Sequence, residues 1–323
     1  MPHVLVAGKL HPAGLALLDS ARAQGFTSDY VEEISEASYA PLIGRADALV
    51  IRTQPLSAAT VARAERLRIV SRHGVGYDAV DLGALNARGI ALAIVGDVNS
   101  VSVAEHAMML MLAAAKRLVR ADRAVRDPAR WDWRNRLEQQ EISGKRLLIV
   151  GFGRIGRHLA RLAAAFRMEL RAHDPVLEGA GWPAGEVPPV ADLRSGLEWA
   201  DFVSVHVPGG DRPVIGPAEI AAMKPGAILV NTARGGVVDE AALADALRSG
   251  RLGAAGLDVF ATEPPAAASP LLGLDQVVLS PHTAGISLES AERMAVASVR
   301  NVIDFFAGTL DPALIVNRPP PPA

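Results

Sequence analysis

Three side chains in this sequence have the types and positions needed for chemistry on an acid. Arg234 stands in Asn231-Thr-Ala-Arg-Gly-Gly236, Glu263 in Leu257-Asp-Val-Phe-Ala-Thr-Glu-Pro264, and His282 in Ser280-Pro-His-Thr-Ala-Gly285. Each segment follows a short apolar run that reads as a buried strand. Ligands bind beyond the carboxyl ends of strands in an open parallel sheet, so all three segments fall on one edge. There an arginine offers a planar fork of donors that holds a carboxylate and polarises a neighbouring ketone. A histidine supplies a proton near neutral pH. A carboxylate beside that ring orients it and favours its protonated form. Singly, each has a bland alternative: a surface arginine, a solvated loop acid, a satisfied structural histidine. Together on one edge they match what reduction of a 2-keto acid by hydride requires.

A hydride donor is implied further upstream. Arg146-Leu-Leu-Ile-Val-Gly-Phe-Gly-Arg-Ile-Gly156 is an apolar strand running into G-x-G-x-x-G. Gly151 permits the tight turn, Gly153 lets backbone approach a pyrophosphate, and Gly156 lets the helix pack close to the strand. The free N–H groups and positive end of that helix then hold phosphate charge. A second strand follows and ends in Asp174, about 20 residues on, where a carboxylate binds ribose hydroxyls. Asp174 repels a 2′-phosphate, and Pro175 and Val176 follow it rather than arginine, so NAD is expected over NADP.

These residues need a scaffold of alternating strands and helices. Strands are expected at Val4 to Ala7, Ala48 to Ile51, Arg68 to Ser71 and Ala91 to Ile94. A second set is expected at Arg146 to Val150, Glu169 to Ala172, Phe202 to His206, Ala227 to Asn231, Ala254 to Val259 and Val277 to Ser280. Helical patterns such as Ile155 to Phe166 and Glu240 to Ser249 lie between them. Near-continuous apolar strands separated by helices make βαβ units with a buried parallel sheet. The fold class is therefore α/β, with two doubly wound parallel-sheet lobes. A long helix from near Ser100 divides the two sets, and Ser102 with Glu105 reads as a capping box at its start. Its apolar body, Ala107 to Leu118, suggests a helix buried between two masses. A last helix, about Leu288 to Phe306, returns to the first lobe. Residues 1–100 and 288–323 then form one domain and residues 101–287 the other, with a cleft between them.

Composition narrows the partners. The chain has 323 residues, 33 Lys plus Arg against 35 Asp plus Glu, and no cysteine. No field of one sign is large enough to favour nucleic acid. Disulfide frameworks and thiolate metal sites are excluded, and a cytoplasmic protein fits. The N-terminus lacks a signal-peptide pattern. The longest apolar run, Ala107 to Ala115, is far short of the about 20 residues that span a membrane. The Pro319 to Pro322 run reads as a stiff tail. No His/Asp/Glu spacing, Glu105-His106 included, makes a metal site.

The chain resembles the D-isomer-specific 2-hydroxyacid dehydrogenase family over essentially its whole length. The resemblance is carried by Arg72-His-Gly-Val-Gly-Tyr-Asp-Ala-Val-Asp81, Asn99-Ser-Val-Ser-Val-Ala-Glu-His106, Gly151 to Gly156, His206-Val-Pro208, Asn231 to Glu240, Leu257 to Pro264 and Ser280 to Gly285. It implies a flavodoxin-like substrate-binding (catalytic) domain with an inserted Rossmann NAD-binding domain, assembled as a homodimer. It places the catalytic roles on Arg234, Glu263 and His282. It places dinucleotide contacts on Arg154, Ile155, Asp174, Val207, Pro208, Thr232, Ala233, Asp258 and Gly285. The loop for the substrate carboxylate falls on Gly74, Val75 and Gly76, with Asn99 nearby. Formate dehydrogenases of the superfamily have glutamine where Glu263 stands, so that subgroup is disfavoured. The large phosphoglycerate dehydrogenases carry regulatory domains beyond the last helix, and serine feedback of that kind is not expected here.

Two residues stay open at this point. His73 stands where many relatives have alanine and either faces the substrate or packs in its loop. Arg52, at a strand end, either is solvated or binds a second anionic group such as a phosphate or sulfonate. The expected activity is NAD-dependent interconversion of a small 2-hydroxy acid and its 2-keto acid, phosphoglycerate dehydrogenase-like, in lobes that close to exclude water. Its rivals are a glyoxylate or hydroxypyruvate reductase and, in another class, a dinucleotide-sensing corepressor-like binding protein.

Overall fold

A computed structural model describes residues 1–183 and 185–317, so the Pro319 to Pro322 run lies outside the described residues. The chain divides into two units. One holds the residues up to Asn99 together with those from Ser287 onward, and the other is Ser100–Ile286.

In the first unit, strands β1 (His3–Ala7), β2 (Thr27–Val31), β3 (Ala48–Ile51), β4 (Ile69–Arg72) and β5 (Ala91–Ala93) form a parallel sheet in the order β2-β1-β3-β4-β5. Leu5, Leu49 and Val70 stand side by side in register. They face one hydrophobic cluster, while their chain neighbours Val4, Ala48 and Ile69 face another. With both faces covered, β1 and β3 have no solvent side and are apolar at nearly every position, while β4 is apolar at Ile69 and Val70 before Ser71 and Arg72. The second face is closed by the helix Leu288–Ala307 through Ala295, Val299 and Val302. Ser287 and Ser290 cap its start reciprocally, and Gly308 ends it with φ 75°. Gly14 lets the helix Pro12–Ser20 sit against it, since a Cβ there would lie 2.9 Å from the Cβ of Ala295. Strand β2 is absent from the expected set. Its sequence, Thr-Ser-Asp-Tyr-Val, is largely exposed at the sheet edge, so it carries no apolar run to reveal it.

The second unit holds β6 (Arg146–Val150), β7 (Glu169–His173), β8 (Phe202–Val205), β9 (Ile228–Asn231), β10 (Ala254–Leu257) and β11 (Val277–Leu279). All neighbours are parallel, in the order β11-β10-β9-β8-β6-β7. Beyond β7 the chain makes a single bridge, Ala172 with Pro189, held by Ala172 N–H to the Pro188 carbonyl and Val190 N–H to the Ala172 carbonyl. That bridge stands where a doubly wound dinucleotide fold places its third strand, here reduced to one residue. The strand order reverses between β6 and β8, which opens a crevice at their carboxyl ends.

Two helices, Ser100–Ala115 and Arg154–Ala165, cover one face of this sheet. Two others, Leu193–Trp199 and Glu240–Arg248, cover the opposite face. The capping box expected at Ser102 and Glu105 does not form. The helix already begins at Ser100, so Ser102 lies within it, and its hydroxyl donates to the carbonyl of Ala284 at 2.9 Å. Nor is this helix buried all round, because Met109 is 41% exposed. It ends at Ala115, ahead of Arg117, whose φ of 52° interrupts the helical path. Among the described residues, no helix is long and apolar enough to cross a membrane, and no three His, Cys, Asp or Glu side chains gather as metal ligands.

Candidate active site

The turn after β6 is built by close approach. Gly151 has φ 93°, and a Cβ on it would lie 2.5 Å from the carbonyl oxygen of His206, just past β8. A Cβ on Gly156 would overlap the carbonyl of Gly151. Gly153 precedes the helix Arg154–Ala165, offers no side-chain cap and has open space around its Cα. The N–H groups of the first turn, Arg154 and Ile155 among them, are therefore left for an anion at the positive end of the helix. Asp174, just past β7, is fixed on both oxygens. Its Oδ2 accepts from the Phe152 N–H at 2.9 Å, and its Oδ1 accepts from the N–H groups of Val176 and Leu177 at 3.1 Å each. A carboxylate oxygen can accept more than one bond, so Asp174 is held at the glycine turn with capacity left for a hydroxyl. Val207 and Pro208 follow β8 on the other side of the crevice.

The same edge carries polar atoms that the protein leaves unused. The Oγ1 of Thr232, just past β9, is buried with no partner. His206 bonds the Ser204 hydroxyl through Nε2 at 2.9 Å, while its Nδ1 is buried without a partner. Burial pushes this histidine down to about 4, so it is a neutral ring at pH 7. A glycine cradle, a helix N-terminus, an anchored aspartate and an orphan hydroxyl on one edge fit a dinucleotide's phosphates and riboses.

The three chemical residues stand further along, beyond β9, β10 and β11. Asn231 ends β9 and folds the next segment with its side chain. Its Oδ1 accepts from the Ala233 N–H at 3.0 Å, and its Nδ2 donates to the Arg234 carbonyl at 2.9 Å. The Arg234 guanidinium donates to the carbonyl of Ala233 at 2.7 Å. Gly235 then touches the next loop directly, since a Cβ on it would overlap the carbonyl of Phe260. In that loop, Glu263 accepts from the Phe260 N–H at 3.0 Å through Oε1 and meets the His282 Nδ1 at 2.7 Å through Oε2. An ionised carboxylate only accepts, so His282 donates from Nδ1 and keeps Nε2 as its working end. The His282 side chain is 51% exposed, so a small molecule can reach it while the pair is intact.

Asp258 lies beneath this loop with no exposed surface. Its Oδ1 accepts from the Ser280 hydroxyl at 2.6 Å and the Thr283 N–H at 2.9 Å, and its Oδ2 accepts from the Ala284 N–H at 2.8 Å. Its carbonyl accepts from the His282 N–H at 2.8 Å. Asp258 thus holds the segment from Ser280 to Gly285 in place.

In the first unit, the loop after β4 is stitched to β3 by the His73 N–H, which donates to the Ile51 carbonyl at 2.8 Å. Arg72 folds back and donates to the His73 carbonyl at 2.8 Å, over Gly74, whose φ is 151°. Val75 is exposed and Gly76 partly so, as is Asn99. His73 is buried, and burial, then Arg52, then Arg72 push it down to about 4. Arg52 follows β3 and donates to the carbonyl of Lys9, which follows β1, at 3.2 Å. Both stand where this sheet's strand order reverses.

Several of these residues escape a reading of the sequence. Asn231 was legible, because an asparagine at a strand end commonly bonds its own backbone two residues on. Gly235 and Ser280 were not, since their partners Phe260 and Asp258 lie on other segments of the chain.

The model for the D-isomer specific 2-hydroxyacid dehydrogenase, NAD binding domain, matches residues 108–284. A glyoxylate reductase from Korarchaeum cryptofilum is 38% identical over 325 residues, covering 97% of this chain and 96% of that protein. The chain belongs to the D-isomer specific 2-hydroxyacid dehydrogenase family. A D-3-phosphoglycerate dehydrogenase from Mycobacterium tuberculosis is 39% identical over 316 residues, which are 97% of this chain. The chain spans 58% of that relative's length. Among solved structures, the TT0316 protein from Thermus thermophilus matches with a TM-score of 0.87 at 32% identity, covering 98% of this chain and 100% of that one.

Two outcomes are expected from this geometry. Gly235→Ala forces backbone apart between Arg234 and Glu263 and should destabilise the protein by about 3 kcal/mol, an overpacking cost. Gly236→Ala has free space but a φ of 77°, and should cost only about 1 kcal/mol, the penalty of a left-handed non-glycine residue. Urea unfolding of both variants checks the order. The second outcome concerns pH. His206 and His73 are neutral in the fold and protonate near 6.5 when unfolded, so the unfolded chain binds more protons between pH 6.5 and about 4. Their contribution is full above pH 6.5 and is lost as pH falls toward 4. The midpoint of thermal unfolding should fall across that window, with a shallower slope in His206→Gln. An unaltered slope would remove His206 as a cause.

Proposed function

We propose that this chain is an NAD-dependent dehydrogenase that interconverts a small 2-hydroxy acid and its 2-keto acid. The observation that carries the reading is the 2.7 Å pair of His282 Nδ1 and Glu263 Oε2, on the sheet edge that also holds the glycine turn. The nicotinamide cofactor, when bound, supplies or takes the hydride. Gly151, Gly153 and Gly156 with the Arg154 and Ile155 amides hold its phosphates, and Asp174 a ribose. Thr232, Ala233, Val207, Pro208, Gly285 and the loop held by Asp258 line the rest of its path. The Asp174 carboxylate opposes a 2′-phosphate, which favours NAD.

The residues divide the remaining work. Arg234 holds the substrate carboxylate and draws charge from the carbonyl, and the family resemblance assigns substrate contacts in the first unit to Gly74, Val75, Gly76 and Asn99. In reduction, Nε2 of His282 gives a proton to the oxygen that becomes the hydroxyl. Glu263 holds the Nδ1 proton and balances the charge of the doubly protonated ring before transfer. In oxidation the neutral Nε2 accepts the hydroxyl proton. The first unit is then the substrate-binding domain and the second the NAD-binding domain.

A phosphoglycerate dehydrogenase-like preference for a doubly anionic acid is the finer reading. Arg52 at the first unit's strand-order reversal, with the neutral His73 past the neighbouring β4, supports it over a simple glyoxylate or hydroxypyruvate reductase. A cytoplasmic homodimer belongs to the same proposal. An exposed apolar groove lined by Met108, Met109, Leu112, Ala113, Leu118 and Leu162 favours pairing with a second copy.

Steady-state assays over a panel of 2-keto acids test the activity. NADH should outperform NADPH, and His282→Ala should lower turnover by ~10²-fold or more while NADH binding persists. Near-normal turnover in that variant would count against the mechanism. Arg52 has its own check. If it holds a second anion, Arg52→Ala should raise KM for phosphorylated or sulfonated acids by roughly 10-fold or more, the scale of a lost charge-assisted bond. Simple 2-keto acids should be unaffected, and equal losses on both classes would reject the assignment.

A further inference from the structure

His282 stands in an unfavourable backbone state. Its φ is 53°, and a side-chain-bearing residue there gives up about 1–2 kcal/mol. Such a conformation persists only where surrounding contacts over-determine it. The contacts above trace to Asp258, which binds the loop at residues 280, 282, 283 and 284. Asp258 does not act alone. The Ser280 hydroxyl gives its single proton to Asp258 Oδ1, so its oxygen is free to accept. His106 Nε2 lies 2.7 Å from that oxygen and 3.5 Å from Asp258 Oδ1. The chain of donors therefore runs from His106 Nε2–H to Ser280 and on to Asp258. Four residues earlier on the same helix face, Ser102 donates to the Ala284 carbonyl.

The helix Ser100–Ala115 thus grips the loop at both ends, and the helix itself is fixed. A Cβ on Gly256 of β10 would lie 2.8 Å from the Cβ of Leu110, so helix and strand are in direct contact. We propose that His106 and Ser102 are positioning residues that hold His282 in its left-handed conformation, His106 through Ser280 and Asp258, and Ser102 through Ala284. Neither touches the reacting atoms, and their effect on rate is exerted by keeping His282 against Glu263. The inference rests on the proposed role of His282 in proton transfer, although the grip itself is a property of the protein without cofactor.

The test compares His106→Ala, His106→Gln and Ser280→Ala with the unaltered protein. The Gln amide can donate from nearly the place of Nε2, and Ser280→Ala breaks the relay without altering the helix. In protein without cofactor, hydrogen exchange at the Thr283 and Ala284 amides should quicken by ~10-fold or more in His106→Ala and Ser280→Ala, as a local opening becomes easier. Turnover should fall by ~10-fold or more, with KM and the fluorescence-measured Kd for NADH within about 2-fold, because small misplacement of a reacting group costs rate before affinity. His106→Gln should recover most of both losses. Unchanged exchange in a folded His106→Ala or Ser280→Ala overturns the proposal, as does a Gln variant no better than Ala. If the unaltered protein reduces no 2-keto acid while exchange responds as stated, the proposed activity fails and the grip on the loop stands.

Discussion

A carboxylate removed from water must find donors for its lone pairs within the protein, and Asp258 finds them in the loop that carries His282. Leaving such a group unsatisfied would cost several kcal/mol. The need therefore runs both ways: the loop satisfies the buried charge, and the buried charge shapes the loop. From that shape follow the left-handed backbone at His282, the approach of its ring to Glu263, and the freedom of Nε2. The interaction is a constraint on conformation before it contributes anything to stability.

Close backbone approach is the second constraint, and glycine supplies it at Gly151 and Gly235, among other positions, for the same reason. At Gly151 the turn after β6 presses on the end of β8, which brings the N-terminus of the helix Arg154–Ala165 to the crevice where strand order reverses. At Gly235 the segment bearing Arg234 presses on the loop bearing Glu263. A single methyl group at either position would meet backbone and push those elements apart. Sheet packing does the coarse placement, and these glycines set the last few ångströms.

The first unit uses charge differently. His73 is buried with Arg52 and Arg72 for neighbours, and all three influences disfavour its protonation. A neutral ring there can accept or donate a hydrogen bond without adding to the positive field of the two arginines. The outcome follows from burial and like-sign charge, the same physics that keeps His206 neutral in the second unit through burial alone.

The α/β class, ten of the strands and the placement of the segments bearing Arg234, Glu263 and His282 past the ends of three of them were legible in the sequence. Apolar runs of strand length and glycines at fixed spacing are local signals, and a resemblance over the whole chain reinforced them. Strand β2 was not legible because an exposed edge strand needs no apolar run. Ser102 was misread because the pattern S-x-x-E describes a local cap, while its hydroxyl is claimed by Ala284, a partner 182 residues away. His106, Ser280 and Gly235 were silent for the same reason. Their roles depend on which distant backbone or side chain lies against them, and only the packing of helix on strand and loop on loop decides that.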